Sequence, residues 1–251
     1  MTSPFADHFS GVAEGYASNR PKYPNALFDY LGGLAPARNV AWDCAAGSGQ
    51  ATLALTAHFG RVIATDASEL QIRAAPAHPR VEYRVAPAEA SGIPAASVDL
   101  VTVAQAVHWF DFDRFHAEVR RVAVSRGLIA VWCYELHRLD DAAIDAAIAR
   151  FYEDVVGPYW PPERRLINEG YRTIPFPFEE ITPPAFEMVE TWSLPRLLGY
   201  LRTWSATSRY REVHGTDPVI PLGEELAALW GSAGEMKRVR WPLALRVGRV
   251  S

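Results

Sequence analysis

The chain has 251 residues, 49% hydrophobic and 22% charged, with a formal net charge of −4. That balance describes an ordinary globular chain and gives no electrostatic case for a nucleic-acid partner. No apolar run approaches the length of a membrane span, so no membrane partner is expected. Two cysteines, Cys44 and Cys133, fall at the ends of predicted buried strands. They read as core thiols in a reducing compartment, not as a disulfide or a metal site. The first residues lack the basic and apolar stretches of a secretory signal, which makes the cytoplasm the expected location. Aromatic residues reach 12%, with eight tryptophans, and many lie in the second half, where they could line a pocket.

Taken in order, Phe9, Val12, Ala13 and Tyr16 fall at helical spacing and predict a short amphipathic helix. Pro21 and Pro24 then force an extended crossing. A helix over 25–36 leads into the apolar run Val40-Ala41-Trp42, which ends in Asp43-Cys44. Ala45-Ala46-Gly47-Ser48-Gly49 follows, and Gln50 opens a helix predicted to run to Phe59 and stop at Gly60. A strand over 61–65 meets Asp66, and Ser68 caps a short helix to Ala75. Strands are predicted over 81–86 and 98–104, with Asp99 expected ahead of the buried part. Phe112, Phe115, Val119 and Val122 mark one apolar helix face over 112–124, and Gly127 turns into a strand over 128–134. This alternation predicts βαβ units and a parallel sheet.

Residues 140–156 read as helix, which Gly157-Pro158-Tyr159-Trp160-Pro161-Pro162 breaks. The proline-rich stretch 157–185 reads as an insertion over the sheet. A strand over 186–193, helices over 194–204 and 221–234 and a last strand over 239–250 complete the prediction.

The stretch 40–52 is a strand, a tight loop and a helix N-terminus. Ala45, Gly47 and Gly49 let a ligand approach the backbone closely. Asp43 at the mouth of the loop would repel a diphosphate and attract an ammonium group. Asp66, roughly 20 residues past the loop, can accept hydrogen bonds from both hydroxyls of a ribose. A nucleoside with an amino-acid head fits both acids, and S-adenosylmethionine is such a ligand. A nicotinamide-binding loop would want glycine where Thr52 stands, so an oxidoreductase is the weaker alternative. A plain βα turn with no ligand is the blander one.

Residues 43–49 resemble the first motif of class I S-adenosylmethionine-dependent methyltransferases, acid-x-Gly-x-Gly-x-Gly, with Ala45 at the first glycine. Alanine suits that place unless the backbone takes a positive φ. Tyr16, Arg20, Pro21, Tyr23 and Pro24 match Tyr-x-x-x-Arg-Pro-x-Tyr-Pro, the N-terminal lid of the trans-aconitate methyltransferase-like (methyltransferase type 11) subgroup. Gln105-Ala106-Val107-His108-Trp109-Phe110 is similar to the same subgroup's Gln-Ala-x-His-Trp-Phe. A weaker likeness runs through Trp192-Ser193, Arg196 and Tyr200–Ser205.

The resemblance implies a Rossmann-like doubly wound sheet of about seven strands, mostly parallel, with an antiparallel last strand. It implies one domain over 1–251: a lid (1–24), a nucleotide-binding core (25–135), a cap (136–185) and a C-terminal part (186–251). It implies S-adenosylmethionine as cofactor. Arg20 is then the partner of the cofactor carboxylate, Tyr16 a wall beside the sulfonium, and Gln105 a contact near the methionine part. Asp43, Ala45, Gly47, Gly49, Asp66 and Ala67 form the ribose and amino-acid side. Ala88 and Glu89 meet the adenine, with Pro87 where an acid is usual.

The implied activity is methyl transfer to a small molecule, at a carboxylate or hydroxyl oxygen. The alternative is a protein that binds the nucleoside without transfer, motivated by Ala45, Pro87 and Arg126. His108, Trp109, Trp160, Arg172 and Trp204 are the acceptor-site candidates, with Arg164, Arg165, Tyr171, Arg209 and Tyr210 behind them. The plainer reading of the aromatics is core packing, and of the arginines a solvated surface. If the acceptor must lose a proton, His108 is the best-placed base, acting with a pKa near the ordinary 6–7. A carboxylate acceptor needs none.

Overall fold

The computed structural model describes residues 20–232 and 234–251. The predicted first helix and Tyr16 lie outside the described residues. Eight strands form one sheet: β1 (Val40–Cys44), β2 (Arg61–Asp66), β3 (Val81–Val85), β4 (Val98–Ala104), β5 (Ala123–Tyr134), β6 (Glu179–Ile181), β7 (Phe186–Trp192) and β8 (Lys237–Arg249). β3-β2-β1-β4-β5 are parallel, and β8 joins β5 antiparallel, from Leu128 opposite Arg249 to Tyr134 opposite Leu243. The other edge of β8 carries both β6 and β7. These are one edge strand in two pieces. Ile181 faces Val247 and Phe186 faces Leu243, so five residue steps oppose four, a one-residue bulge. Pro183 and Pro184 sit in the gap, where no ladder N–H is required. The sheet is therefore seven strands wide, with the mixed order expected.

The helices are α1 (Asn25–Leu34), α2 (Gln50–Leu55), α3 (Glu69–Ala74), α4 (Phe112–Val122), α5 (Ala142–Arg150), α6 (Arg164–Asn168), α7 (Leu194–Arg202), α8 (Ser205–His214) and α9 (Val219–Trp230). Strand side chains alternate between two cores, as a sheet covered on both faces requires. Ala41, Val62, Leu100, Leu128 and Trp132 pack with α1 and α2. Trp42, Ile63, Val101, Val103 and Val131 pack with α4 and with Ile167, Tyr171, Ile174 and Phe178. The proline-rich insertion thus supplies one cover of the sheet. A third core joins α5, α7 and α9 to β7 and the half of β8 paired with it, through Met188, Trp192, Val239 and Trp241.

Three local readings change. Asp99 is buried inside β4, not ahead of it, because its Oδ2 accepts the N–H groups of Asn39 and Val40 at 2.9 Å each. β5 begins early, at Ala123, and its ladder skips between Val98–Ala123 and Leu100–Leu128. Arg126, at φ +59, absorbs that irregularity. Helix α8 escapes the hydrophobic pattern because only Ala206 and Thr207 of it are buried. No helix among the described residues is long and apolar enough to cross a membrane.

Candidate active site

The strand order reverses between β1 and β4, and the loops after these two strands open a crevice at the carboxyl edge of the sheet. The β1 loop runs through three left-handed residues, Ala45 at φ +54, Gly47 at +56 and Gly49 at +87. The loop therefore keeps the glycine shape despite Ala45, at a cost of about 1–2 kcal/mol for the Cβ. Gly49 is buried behind the loop. A Cβ there would stand 2.8 Å from the Tyr83 hydroxyl, so its smallness serves packing and it does not face the crevice.

Both predicted acids are at the crevice. Asp66 ends β2, and its two oxygens accept the N–H groups of Gly47 and Ser68 at 2.8 Å each. It clasps the glycine loop to the start of α3. Asp43 is fully buried, and its oxygens accept the hydroxyls of Thr52 at 2.5 Å and Thr102 at 2.9 Å. Thr52, which broke the dinucleotide pattern, is thus a ligand of the acid. Burial, joined by the nearby Asp66 charge, pushes the Asp43 carboxyl up to about 6 against the pull of the two hydroxyls. A cation placed beside it would relieve that cost.

Arg20, Asp43, Ala45, Gly47, Asp66, Ala67, Ala88, Glu89 and Gln105 all line one cavity of about 660 Å³. Glu89 also accepts the Asp111 N–H at 3.1 Å, which ties the β3 corner to the start of α4. Pro87 lines the same wall without an acid. The described end of the N-terminal segment crosses this edge: Gln50 Nε2 donates to the Pro21 carbonyl at 2.6 Å, and Arg20 donates to the Tyr134 hydroxyl. Gln105 follows β4 at φ +58, a strained conformation for a side-chain-bearing residue. Its Oε1 is buried with no hydrogen-bond partner among the described residues. An orphan acceptor beside a costly carboxylate fits a ligand carrying an ammonium group.

A second cavity of about 600 Å³ adjoins the first, and His108, Trp109, Trp160 and Trp204 line it. Arg172 does not. Tyr171, at φ +57, turns its ring into the core, and the chain leaves Arg172 exposed outside both cavities. Arg20, Gln105, Trp109 and Tyr134 line both cavities and form the wall between them. Tyr134 was missed in the sequence. Its signal is its place as the last residue of β5, the strand end beside the β4 loop.

His108 sits in a single 3₁₀ turn, Val107–Trp109. Its Nδ1 lies 2.8 Å from the Tyr171 hydroxyl. Burial, with the Arg164 charge nearby, pushes its pKa down to about 3. The ring is neutral near pH 7 and a weak proton acceptor, so the expected base with a pKa near 6–7 is not what this environment makes. Hydrogen bonding is the role this leaves to it in the second cavity.

A mostly parallel sheet with a glycine turn after its first strand, an acid closing the second and a divided crevice at the reversal point is a nucleoside-binding arrangement, and it fits a class I methyltransferase. A family model described as "Methyltransferase domain" matches residues 42–131. A Dictyostelium discoideum protein named "Putative methyltransferase" is 34% identical over 90% of this chain and 89% of its own length. A solved structure of a "Putative Type II Methyltransferase" from Anaeromyxobacter dehalogenans is 50% identical. It covers 92% of this chain and 98% of its own, with a TM-score of 0.88. At 16% identity and a TM-score of 0.50, a Haemonchus contortus phosphoethanolamine N-methyltransferase shares the fold over 100% of this chain and 60% of its own; it was solved with S-adenosylhomocysteine. The chain belongs to the class I S-adenosylmethionine-dependent methyltransferases, and S-adenosylmethionine is its cofactor.

Proposed function

We propose that this protein transfers a methyl group from S-adenosylmethionine to an oxygen of a small molecule bound in the second cavity. The observation that carries the reading is the wall of Arg20, Gln105, Trp109 and Tyr134 common to the two cavities. When bound, S-adenosylmethionine supplies an electrophilic methyl on a good leaving group. Asp66, at the end of β2 and on the cavity lining, would hold ribose hydroxyls. Gln105 and Asp43 would hold the ammonium end. The aromatic lining of the second cavity would exclude water and align the acceptor, which is the main demand of an in-line displacement. His108 is held neutral, and this favours an acceptor atom that is nucleophilic without a strong base, a carboxylate before a hydroxyl. Of the three departures, Ala45 keeps the loop's left-handed shape, Arg126 lines neither cavity, and Pro87 lines the first without an acid. The buried, free Cys44 and Cys133 suit the cytoplasm.

The test is a labelled-methyl assay on a metabolite extract, with calorimetry against S-adenosylhomocysteine and NAD. Label entering the small-molecule fraction, with nucleoside binding and no NAD binding, is the expected result. Nucleoside binding with label in no fraction would leave a binding protein, and label in protein or nucleic acid would remove the small-molecule acceptor.

A further inference from the structure

The second cavity is lined by five arginines and two glutamates. Three of the arginines have named partners. Arg202 pairs with Asp217 at 2.7 Å, Arg20 donates to Tyr134, and Arg209 donates to the Tyr159 carbonyl at 3.3 Å. Arg164 is different. Its Nε donates to the Tyr152 hydroxyl at 2.9 Å, and that hydroxyl donates to Asn168 Oδ1 at 2.7 Å. Its guanidinium carbon stands 4.5 Å from the centre of the Trp160 ring and 5.5 Å from that of Tyr152. No carboxylate lies within ion-pair distance of Arg164 among the described residues, and its two terminal nitrogens have no hydrogen-bond partner there. The guanidinium plane is therefore fixed by stacking and one hydrogen bond, while its outer fork and its charge are left uncompensated. Beside it, Trp160 Nε1 is buried and also has no partner among the described residues. A fixed cation on a cavity wall, beside a tryptophan of the same wall whose N–H has no partner among the described residues, suits an anion.

We infer that Arg164 and Trp160 anchor an anionic group of the acceptor, a carboxylate or a phosphate, that is not the group methylated. The inference rests on the proposed function and adds the substrate class to it. Both residues line the second cavity only and take no part in the wall where the two cavities meet. An anion on Arg164 is thus held away from the transfer point, and the acceptor presents a different atom there. The substrate is a two-ended organic anion, and its product keeps a negative charge.

The protein loaded with S-adenosylhomocysteine is titrated with benzoate and with inorganic phosphate, in the parent, Arg164→Gln and Arg164→Lys. At least one probe binds the parent. It binds about 10-fold or more weakly to Arg164→Gln, and Arg164→Lys recovers part of the loss, while S-adenosylhomocysteine affinity is the same in all three. If neither probe binds the loaded parent, or if Arg164→Gln binds both equally well, the anchor is overturned. In the labelled-methyl assay the product is retained on an anion exchanger. A neutral product overturns the anchor but leaves methyl transfer standing, whereas failure to bind S-adenosylhomocysteine would instead remove the function on which the anchor rests.

Discussion

The Nδ1 atom of His108 and the hydroxyl of Tyr171 lie 2.8 Å apart across 63 residues of sequence, both side chains buried. This contact fixes the imidazole ring and leaves Nε2 as its one ring nitrogen for the acceptor. Because the ring stays neutral above about pH 3, His108 contributes no titration step near pH 6–7. His108→Gln is expected to raise the acceptor KM by about 5–30-fold, the range of one buried hydrogen bond. Its pH–rate profile should run parallel to that of the parent between pH 5.5 and 8. A step in the parent profile that vanishes in the variant would restore the base.

Asp43, unlike His108, makes binding depend on pH near neutrality. Its carboxyl titrates at about 6, and only the ionised form attracts an ammonium group. S-adenosylhomocysteine should bind progressively more weakly as pH falls through 6, approaching about tenfold per unit below it. Asp43→Asn should lose about 1–3 kcal/mol at pH 7.5 and show a flat dependence. Calorimetry at pH 7.5, 6.5 and 5.5 decides, and parallel curves for the two proteins would exclude Asp43 as the source.

Asp66 has two duties that different substitutions separate. Asp66→Ala removes the ribose partner and the clasp on Gly47, and should cost about 1–3 kcal/mol of S-adenosylhomocysteine affinity together with loop stability. Asp66→Asn keeps one acceptor oxygen and should cost less on both counts. Undiminished affinity in Asp66→Ala would take the ribose away from this residue.

Folding stability should fall in acid. His137 is buried among Tyr200, Trp204 and Trp241, and burial pushes its pKa down to about 3, as for His108. Both rings have folded values below the ordinary 6.5, so the unfolded chain binds more protons than the folded one between pH 3 and 6.5. Each histidine should therefore remove about 2 kcal/mol by pH 5. Asp43, raised in the folded state, works against this over pH 4–6 and recovers part of one histidine's loss. Denaturant midpoints at pH 7 and pH 5 measure the sum, and His137→Phe should lessen the difference. A midpoint that does not move would contradict the burial of both rings.

Ala45 tests the loop. Ala45→Gly relieves the left-handed strain and should raise stability by up to about 1 kcal/mol with cofactor affinity kept. Ala45→Val places a branched side chain at φ +54 and should lower both. Thermal melts with and without S-adenosylhomocysteine give the two quantities.

The nucleotide side of this molecule was legible because its signals are local. A strand ending in an acid, small residues in a turn and a second acid at the next strand end occupy one short stretch of chain. The second cavity is assembled from segments far apart: Tyr134 from β5, Trp160 and Arg164 from the insertion, Trp204 from the turn between α7 and α8. No spacing connects them. Interleaved arginines and aromatics marked the region but not the residues, and Arg172 was chosen where Arg164 lines the cavity. Arg172 is left outside by the chain turn at Tyr171, a bulky residue at φ +57 for which sequence gives no positive-φ signal. The shift on His108 was hidden for the same reason, since burial and a neighbouring arginine arise only from packing.

The two-piece edge strand bears on how the molecule behaves in company. A free sheet edge is a template on which another chain can extend the sheet. Here the template is cut into runs of three and seven residues. The proline pair stands between them, and Glu179, Glu180, Glu187 and Glu190 charge both pieces. Arg246 pairs with Glu180, and Arg238 and Arg240 pair with Glu187. An incoming strand would have to match a bulge and cross two residues without N–H groups. This edge resists strand-to-strand association, and the chain can keep a wide, exposed-ended sheet without promoting its own aggregation.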